Sequence, residues 1–157
     1  MVKRQLLVTI MAVIFIALAI GGLILVMQQK GPERASTVDL VSDSGTVTHL
    51  DVEIADTPAE QEHGLMNRSA LPEDAGMLFV FGDDQTRYFW MEDTLIPLDM
   101  IFIAKNLTIV DVHENATPLS RAIIASSSAC RYVLEVNGGL CEAKGIEIGD
   151  RVTLDLD

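Results

Sequence analysis

Six side chains near the middle of the chain have the chemistry of a binding site. They combine a cation, an aromatic ring, a hydroxyl group and three carboxylates: Arg68, Trp90, Glu92, Asp93, Thr94 and Asp99. Trp90 leads into a polar loop, and an aromatic ring at the mouth of such a loop is suited to stacking on a sugar or a peptide. These residues therefore predict a site for a small ligand, a glycan or a partner protein.

Asp99 lies in the apolar segment Leu98–Ile103, a predicted strand. A carboxylate in such surroundings needs an ion pair or hydrogen bonds, and we expect Arg68 to be its partner. The pair has two interpretations. In one, Asp99 is structural, either in an ion pair or as a hydrogen-bond acceptor that fixes a turn. In the other, Asp99 is a general acid or base of a hydrolase-like enzyme, assisted by Glu92 or Asp93.

The sequence favours binding over catalysis, although it leaves an enzymatic function open. Ser126–Ser128 lacks the flanking glycines of a nucleophile elbow, and the chain contains no phosphate loop or dinucleotide fingerprint. Glu60 and His63 are three residues apart, a spacing that metal ligands use but that is common on exposed helices. We predict no metal and no cofactor.

The chain has two cysteines, Cys130 and Cys141. An oxidising compartment would permit a disulfide between them, and their spacing decides neither for nor against it. Both states therefore remain open.

The N-terminal part contains an uncharged apolar segment, residues 6–27. A helix of that length, at about 1.5 Å per residue, spans the hydrocarbon core of a membrane. The basic residues among positions 1–5 favour a cytoplasmic N-terminus, so we expect a single-pass anchor in the cytoplasmic membrane with the C-terminal domain in the periplasm or outside the cell. The alternative is a cleaved signal peptide, since Ala17–Ala19 has the form of a cleavage site. The apolar segment continues beyond that site, which favours the anchor.

Beyond the anchor we expect a linker, residues 28–36, and an exported domain, residues 37–157. From Ser36 onward the chain carries 22 acidic and 7 basic side chains, a net charge of −15. This charge argues against nucleic acid as a partner. It also leaves open a structural or assembly module that presents an acidic face to a basic partner.

Hydrophobic alternation with a period of two predicts half-buried strands in three segments: Leu50–Ile54, Tyr132–Val136 and Val152–Leu156. The continuous apolar segments Met77–Phe81 and Tyr88–Met91 predict central strands, and Gly82–Gln85 between them predicts a turn. Leu107–Val112 predicts a further strand, bulged where its apolar pattern shifts phase.

Two short helices interrupt the strands. Thr57–Glu60 matches a capping box with proline at the first helical position, and Gly64 is suited to end that helix. Asn137 is expected to cap a second helix, which Gly145 closes. The predicted fold is mainly β: a compact β-sandwich or barrel-like domain with two short helices, preceded by one N-terminal transmembrane helix.

An ordered set of motifs extends from about Leu50 to the C-terminus. Its segments are Gly64–Arg68, Gly76–Phe81, Phe89–Ile103, Tyr132–Val136 and Gly145–Val152. In this order they resemble the exported bacterial and archaeal family known as domain of unknown function 192. The resemblance implies a compact, mainly β domain behind a signal or anchor, and it implies no activity. Here Glu92-Asp93-Thr94 follows Trp90-Met91, whereas the family usually has Lys-Asn-Thr, so a role that needs a cation at this point does not carry over.

Overall fold

A computed structural model describes residues 36–156 of the chain. The predicted N-terminal region, membrane segment and most of the linker, residues 1–35, lie outside the described residues. Within residues 36–156, no helix has the length and apolar character needed to cross a membrane.

Seven strands form one sheet. Their bounds are β1 (Ser36–Val41), β2 (Val47–Ala55), β3 (Ala75–Gln85), β5 (Leu98–Ile103), β6 (Ile109–Ala116), β8 (Cys130–Asn137) and β9 (Arg151–Asp155). The spatial order is β6-β5-β8-β3-β2-β1-β9, and every neighbouring pair is antiparallel except β2 with β3. The remaining strands, β4 (Tyr88–Phe89) and β7 (Ile124–Ala125), form a separate two-stranded ribbon.

The two edges of the sheet approach each other, so the sheet curls into a half-barrel. The backbone N–H of Ile109 donates to the carbonyl of Asp150, and that of Val152 donates to the carbonyl of Leu107, both at 2.9 Å. Because these bonds join the start of β6 to the start of β9, they connect opposite ends of the strand order. The barrel-like alternative of the predicted fold is confirmed in this form, whereas two stacked large sheets are not found in the described residues.

Apolar side chains are buried on both faces of the central strands. The inner cluster includes residues from both sheet edges: Val38, Leu40, Leu50, Leu78, Ile101, Ile109, Leu134 and Val152. The outer cluster packs on the opposite face: Leu65, Met77, Phe79, Met91, Met100, Phe102, Cys130 and Val133. All six residues of β5 are consequently buried. Burial on both faces explains why the central strands have continuous apolar sequences instead of alternating ones.

Two strand-level predictions are wrong. Tyr88–Met91 is not a central strand, because only β4 lies there and it pairs with β7 alone; Tyr88 is 69% exposed. Gly82–Gln85 is not a turn between central strands, because β3 continues to Gln85 and pairs there with Cys130 after a register shift. The segment Tyr88–Met91 lies over the outer face of the sheet and does not form one of its strands.

The first helix, α1 (Pro58–His63), confirms the predicted capping box. The Thr57 side chain accepts from the backbone N–H of Glu60, and the Glu60 carboxylate accepts from the N–H of Thr57. Gly64 ends the helix, as predicted, with φ of 48°.

The second helix, α2 (Leu140–Lys144), begins later than predicted. Its N-cap is Gly139, whereas Asn137 stays in β8 and its side-chain amide donates to the backbone carbonyls of Leu71 and Pro72, in the loop before β3. Gly145 closes α2 as predicted, in the left-handed conformation with φ of 64°.

Candidate functional site

A cavity of about 480 Å³ opens on the outer face of the sheet, between α1, the end of β3 and the segment 86–90. We call it the aromatic cavity, because five aromatic side chains line it: Phe79, Phe81, Tyr88, Phe89 and Trp90. Phe89 packs edge-on against Phe79, with ring centroids 5.1 Å apart. The volume lies within the range of about 300–1,000 Å³ typical of small-molecule sites.

Glu135 of β8 lines the aromatic cavity. The residue is only 5% exposed, and its neighbours in the sheet are Met77 of β3 and Met100 of β5. Burial raises the pKa of Glu135 to about 8, and no hydrogen bond or neighbouring charge within the described residues offsets this desolvation. This shift favours the protonated carboxyl group at neutral pH, and neither oxygen accepts a hydrogen bond from the described residues.

A glycine keeps the space beside this carboxyl group open. A Cβ atom at Gly64 would lie 3.9 Å from Oε2 of Glu135 and 3.2 Å from the Phe79 ring. Because a larger side chain would extend further into the same space, the residue that ends α1 also preserves access to Glu135.

Arg87 supplies a cation to the wall of the aromatic cavity. Its guanidinium carbon lies 3.9 Å from the centroid of the Phe81 ring, and Nη2 donates to the carboxylate of Asp83 at 2.6 Å. The side chain is 14% exposed, and its buried Nε has no hydrogen-bond acceptor among the described residues. The charge of Arg87 is thus balanced by Asp83.

Gln61 connects α1 to the sheet beside the cavity. Its Nε2 donates to the carbonyl of Val80 in β3 at 2.9 Å. This bond holds in place the helix that carries the other α1 residues of the wall, Glu62 and His63.

The structure divides the six predicted site residues between several places. Trp90 and Thr94 line the aromatic cavity; Trp90 is 44% exposed and Thr94 is buried. Glu92 forms an ion pair with Arg121 at 2.7 Å. Asp93 adopts a left-handed backbone conformation with φ of 53°, and its carbonyl accepts from the N–H of Asn67. Of the predicted group, only Trp90 and Thr94 share one cavity.

The predicted ion pair between Arg68 and Asp99 is wrong. Arg68 is paired with Glu53, and this hydrogen bond holds the pKa of Glu53 below its usual value. Asp99 is fully buried and lies beside the N-terminus of α2. Its carboxylate accepts backbone N–H groups at 2.8–2.9 Å from three residues: Asn115, Gly139 and Cys141. Asp99 therefore stabilises the start of α2 and its junction with β6, and it does not line the aromatic cavity.

Both cysteines are free and buried. Cys130 belongs to the outer cluster and Cys141 to the inner cluster, on opposite faces of the sheet, so the disulfide left open by the sequence is not formed. Burial raises the pKa of each thiol, and the Asp99 carboxylate raises that of Cys141 further. Neither thiol is activated as a nucleophile.

Among residues 36–156, histidine, cysteine and acidic side chains form no group of three or more that could hold a metal ion. Glu60, a member of the predicted pair with His63, instead completes the capping box of α1.

No sequence pattern singled out Glu135 or Arg87 as a candidate site residue. Glu135 alternates with Leu134 and Val136, a pattern that assigns it to a solvent-exposed face. The available signal was Val133, which places an apolar residue on that same face. A glutamate on a strand with two apolar faces is a candidate for burial.

Comparison with known proteins agrees with the motif-level resemblance. The sequence model of the family DUF192, described as "Uncharacterized ACR", matches residues 40–154. A crystal structure from Sinorhizobium meliloti 1021, described provisionally as a transcription regulator, is 45% identical, with a TM-score of 0.74 over 76% of this chain and 94% of that chain. A protein of unknown function from Novosphingobium aromaticivorans DSM 12444 is 36% identical, with a TM-score of 0.72 over 74% of this chain and 83% of that chain. No curated protein sequence matches the chain. The chain belongs to the domain of unknown function 192 family.

Proposed function

We propose that this domain binds a small organic ligand in the aromatic cavity. The observation that carries the proposal is Glu135, a carboxyl group that is 5% exposed, has no hydrogen-bond partner in the described residues and lines a cavity of ligand size. Among the described residues, Nε of Arg87 is the only fully buried side-chain polar atom without a hydrogen-bond partner, so the carboxyl oxygens of Glu135 are open to the cavity. A ligand there would replace water at a carboxyl group that burial has largely desolvated.

Exposed aromatic rings at the cavity support the same function. Trp90 is 44% and Tyr88 is 69% exposed, so each offers ring surface on which a ligand can pack. Asp99, the acid of the hydrolase-like alternative, already accepts three hydrogen bonds away from this cavity, and binding is therefore the function that the geometry favours.

The provisional description of the Sinorhizobium relative as a transcription regulator is not part of this proposal. Residues 36–157 carry a net charge of −15, which repels nucleic acid.

The proposal is tested with the full chain in a polyoxyethylene detergent, whose headgroup is neither a sugar nor an amine. Trp90 is the sole tryptophan, so its fluorescence reports on ligands in the cavity. The panel contains saccharides, peptidoglycan fragments, small carboxylates and small amines. A ligand at 100 times its dissociation constant should stabilise the fold by about 2.7 kcal/mol, visible as a rise in melting temperature.

Two variants assign a positive response to the cavity. Glu135→Gln removes the ionisable group with little change in shape, whereas Glu142→Gln makes the same change at an exposed position of α2. We expect Glu135→Gln to weaken ligand binding and Glu142→Gln to leave it unchanged. Equal responses of the two variants, or a panel without any response, would contradict the proposal.

We further propose that residues 6–27 anchor the domain on the outer side of the cytoplasmic membrane. The supporting observation is the uncharged apolar segment with basic residues before it. In the native host, a protein tagged at the C-terminus should remain in the membrane fraction after a carbonate wash, and external protease should degrade its domain once the outer barrier is opened. Release of a shorter soluble form would instead indicate a cleaved signal peptide.

A further inference from the structure

We infer that the aromatic cavity takes a compact organic ammonium ion, whose charge pairs with Glu135 and whose substituents pack on the aromatic rings. This inference rests on the proposed function and names its ligand class.

The position of Glu135 limits the ligand to two kinds. The carboxyl group is 5% exposed and receives no hydrogen bond from the described residues. A neutral ligand could accept a hydrogen bond from the protonated form, and a cation could pair with the ionised form. An anionic ligand could also accept a hydrogen bond from the protonated form, but the net charge of −15 on the surrounding domain opposes its entry. The surroundings of Glu135 decide between the first two.

Five of the sixteen residues that line the cavity carry aromatic rings. The face of an aromatic ring attracts a cation within about 6 Å, most strongly when water is excluded. Phe79, Phe81, Tyr88 and Trp90 all line the cavity that contains Glu135. The protein already uses one of these rings in this way, because the Arg87 guanidinium lies 3.9 Å from the centroid of Phe81.

The charges around the cavity favour a cation as well. The titratable groups that line it are Glu62 and His63 from α1, Arg87 and Tyr88 from the segment after β3, and Glu135 from β8. Asp83 balances the charge of Arg87. The surrounding domain, with a net charge of −15, raises the local concentration of cations and lowers that of anions.

Binding of such a cation should release a proton. The pKa of Glu135 is about 8, so at neutral pH the group must lose its proton to pair with a positive charge. The affinity for an ammonium ion should therefore rise about tenfold per pH unit below that pKa and level off above it. A neutral ligand would show no such rise.

The experiment compares choline with dimethylbutanol, its neutral carbon isostere, by titration calorimetry on the full chain in polyoxyethylene detergent. At a pH above the pKa of Glu135, choline should bind at least about tenfold more tightly than the isostere, as expected for a paired charge. Calorimetry below that pKa, in buffers of different ionisation enthalpy, should detect release of about one proton per choline.

Variants identify the group responsible. In Glu135→Gln, the preference for choline over the isostere should disappear and the pH dependence should flatten. Glu62, His63 and Tyr88 also line the cavity and are retained in this variant, so a pH dependence that survives unchanged does not come from Glu135 and would overturn its role. Trp90→Leu should weaken choline binding more than isostere binding, because it removes a ring but keeps an apolar side chain.

The outcomes separate this inference from the proposed function. Equal binding of the two probes, or tighter binding of the isostere, would overturn the ammonium assignment and leave the binding function standing. Choline binding that Glu135→Gln does not change would place the ammonium site elsewhere and also overturn the assignment. If neither probe binds but a compound of the panel other than an amine does, the ligand class is wrong; if nothing binds, both proposals fail.

Discussion

Two buried carboxyl groups of this domain have opposite surroundings. Asp99 is fully buried and accepts three backbone hydrogen bonds, whereas Glu135 is almost as buried and accepts none within the described residues. A buried charge is retained when hydrogen bonds replace its lost hydration. Asp99 therefore has the surroundings of a structural group, whereas the surroundings of Glu135 support the ligand-binding role that we propose for it.

Replacing Asp99 by alanine should destabilise the fold strongly. The change leaves three buried N–H groups without an acceptor, at a cost on the order of 3–5 kcal/mol. Urea denaturation would measure the loss, with Asp155→Ala, at an exposed position of β9, as a control that stays within about 0.5 kcal/mol of the wild type. An Asp99→Ala protein with unchanged stability would contradict the structural role.

Glu135 should make the domain less stable as the pH rises. Its pKa is raised from 4.5 to about 8 in the folded chain, so between these values the folded state binds more protons than the unfolded state. The stability contribution of Glu135 is therefore full below about pH 4.5 and is lost as the pH rises towards 8, on the order of 1 kcal/mol per pH unit.

The matching measurement is the free energy of unfolding of Glu135→Gln and of the wild type across this pH range. The free energy of unfolding of the variant should rise relative to that of the wild type as the pH rises, because glutamine cannot ionise. Glu142→Gln, in which the changed residue is exposed, should follow the wild type throughout. A constant difference between Glu135→Gln and the wild type would show that Glu135 does not titrate differently in the folded state.

At the scale of elements, α1 positions one wall of the aromatic cavity although none of its residues is buried. Such a short helix has little stability by itself. Its order depends on the capping box of Thr57 and Glu60 at one end, the Gln61 bond to β3, and Gly64 at the other end. Hydrogen bonds at its ends and to β3 therefore hold α1 in place, since none of its own side chains is buried.

Removal of the cap should loosen this wall. Thr57→Ala is expected to cost about 1 kcal/mol of stability, because the N–H of Glu60 loses its acceptor, while Thr57→Ser keeps the hydroxyl and should cost much less. Hydrogen exchange should show faster exchange in residues 58–64 of the alanine variant, with β8 unchanged. Equal exchange in the alanine and serine variants would mean that the cap does not order α1.

At the scale of the whole molecule, the same acidic charge that favours cations opposes compaction. A net charge of −15 on residues 36–157 destabilises a compact state through self-repulsion. The closure of the half-barrel, in which Ile109 and Val152 donate backbone hydrogen bonds between the two sheet edges, must be maintained against this repulsion.

Salt should therefore stabilise the domain. Raising sodium chloride from about 0.02 M to 0.3 M shortens the screening length severalfold, and we expect the melting temperature to rise by a few degrees. Asp155→Lys, at an exposed position, should raise the melting temperature at low salt and reduce its dependence on salt. A melting temperature that falls with salt would mean that ion pairs outweigh the self-repulsion.

The sequence by itself determined the local features of this domain. Capping of α1, closure of α2 at Gly145 and most strands follow from neighbouring residues, because a cap or a two-residue period acts over a few positions. The ordered motifs also identified the family, since their order along the chain does not depend on how the chain folds.

Only the tertiary structure decided the partners of the polar groups. Arg68 pairs with Glu53 and not with Asp99, and the carboxyl group of Glu135 enters a cavity. These outcomes depend on which strands become neighbours and on which faces are covered. The segment Tyr88–Met91 has the composition of a central strand, yet it covers the outer face of the sheet. No position beside the central strands is free, because β5 and β3 flank β8, and β8 and β2 flank β3. Burial of Glu135 on β8 follows from that long-range arrangement. Sequence patterns report on neighbouring residues and do not determine which strands pair.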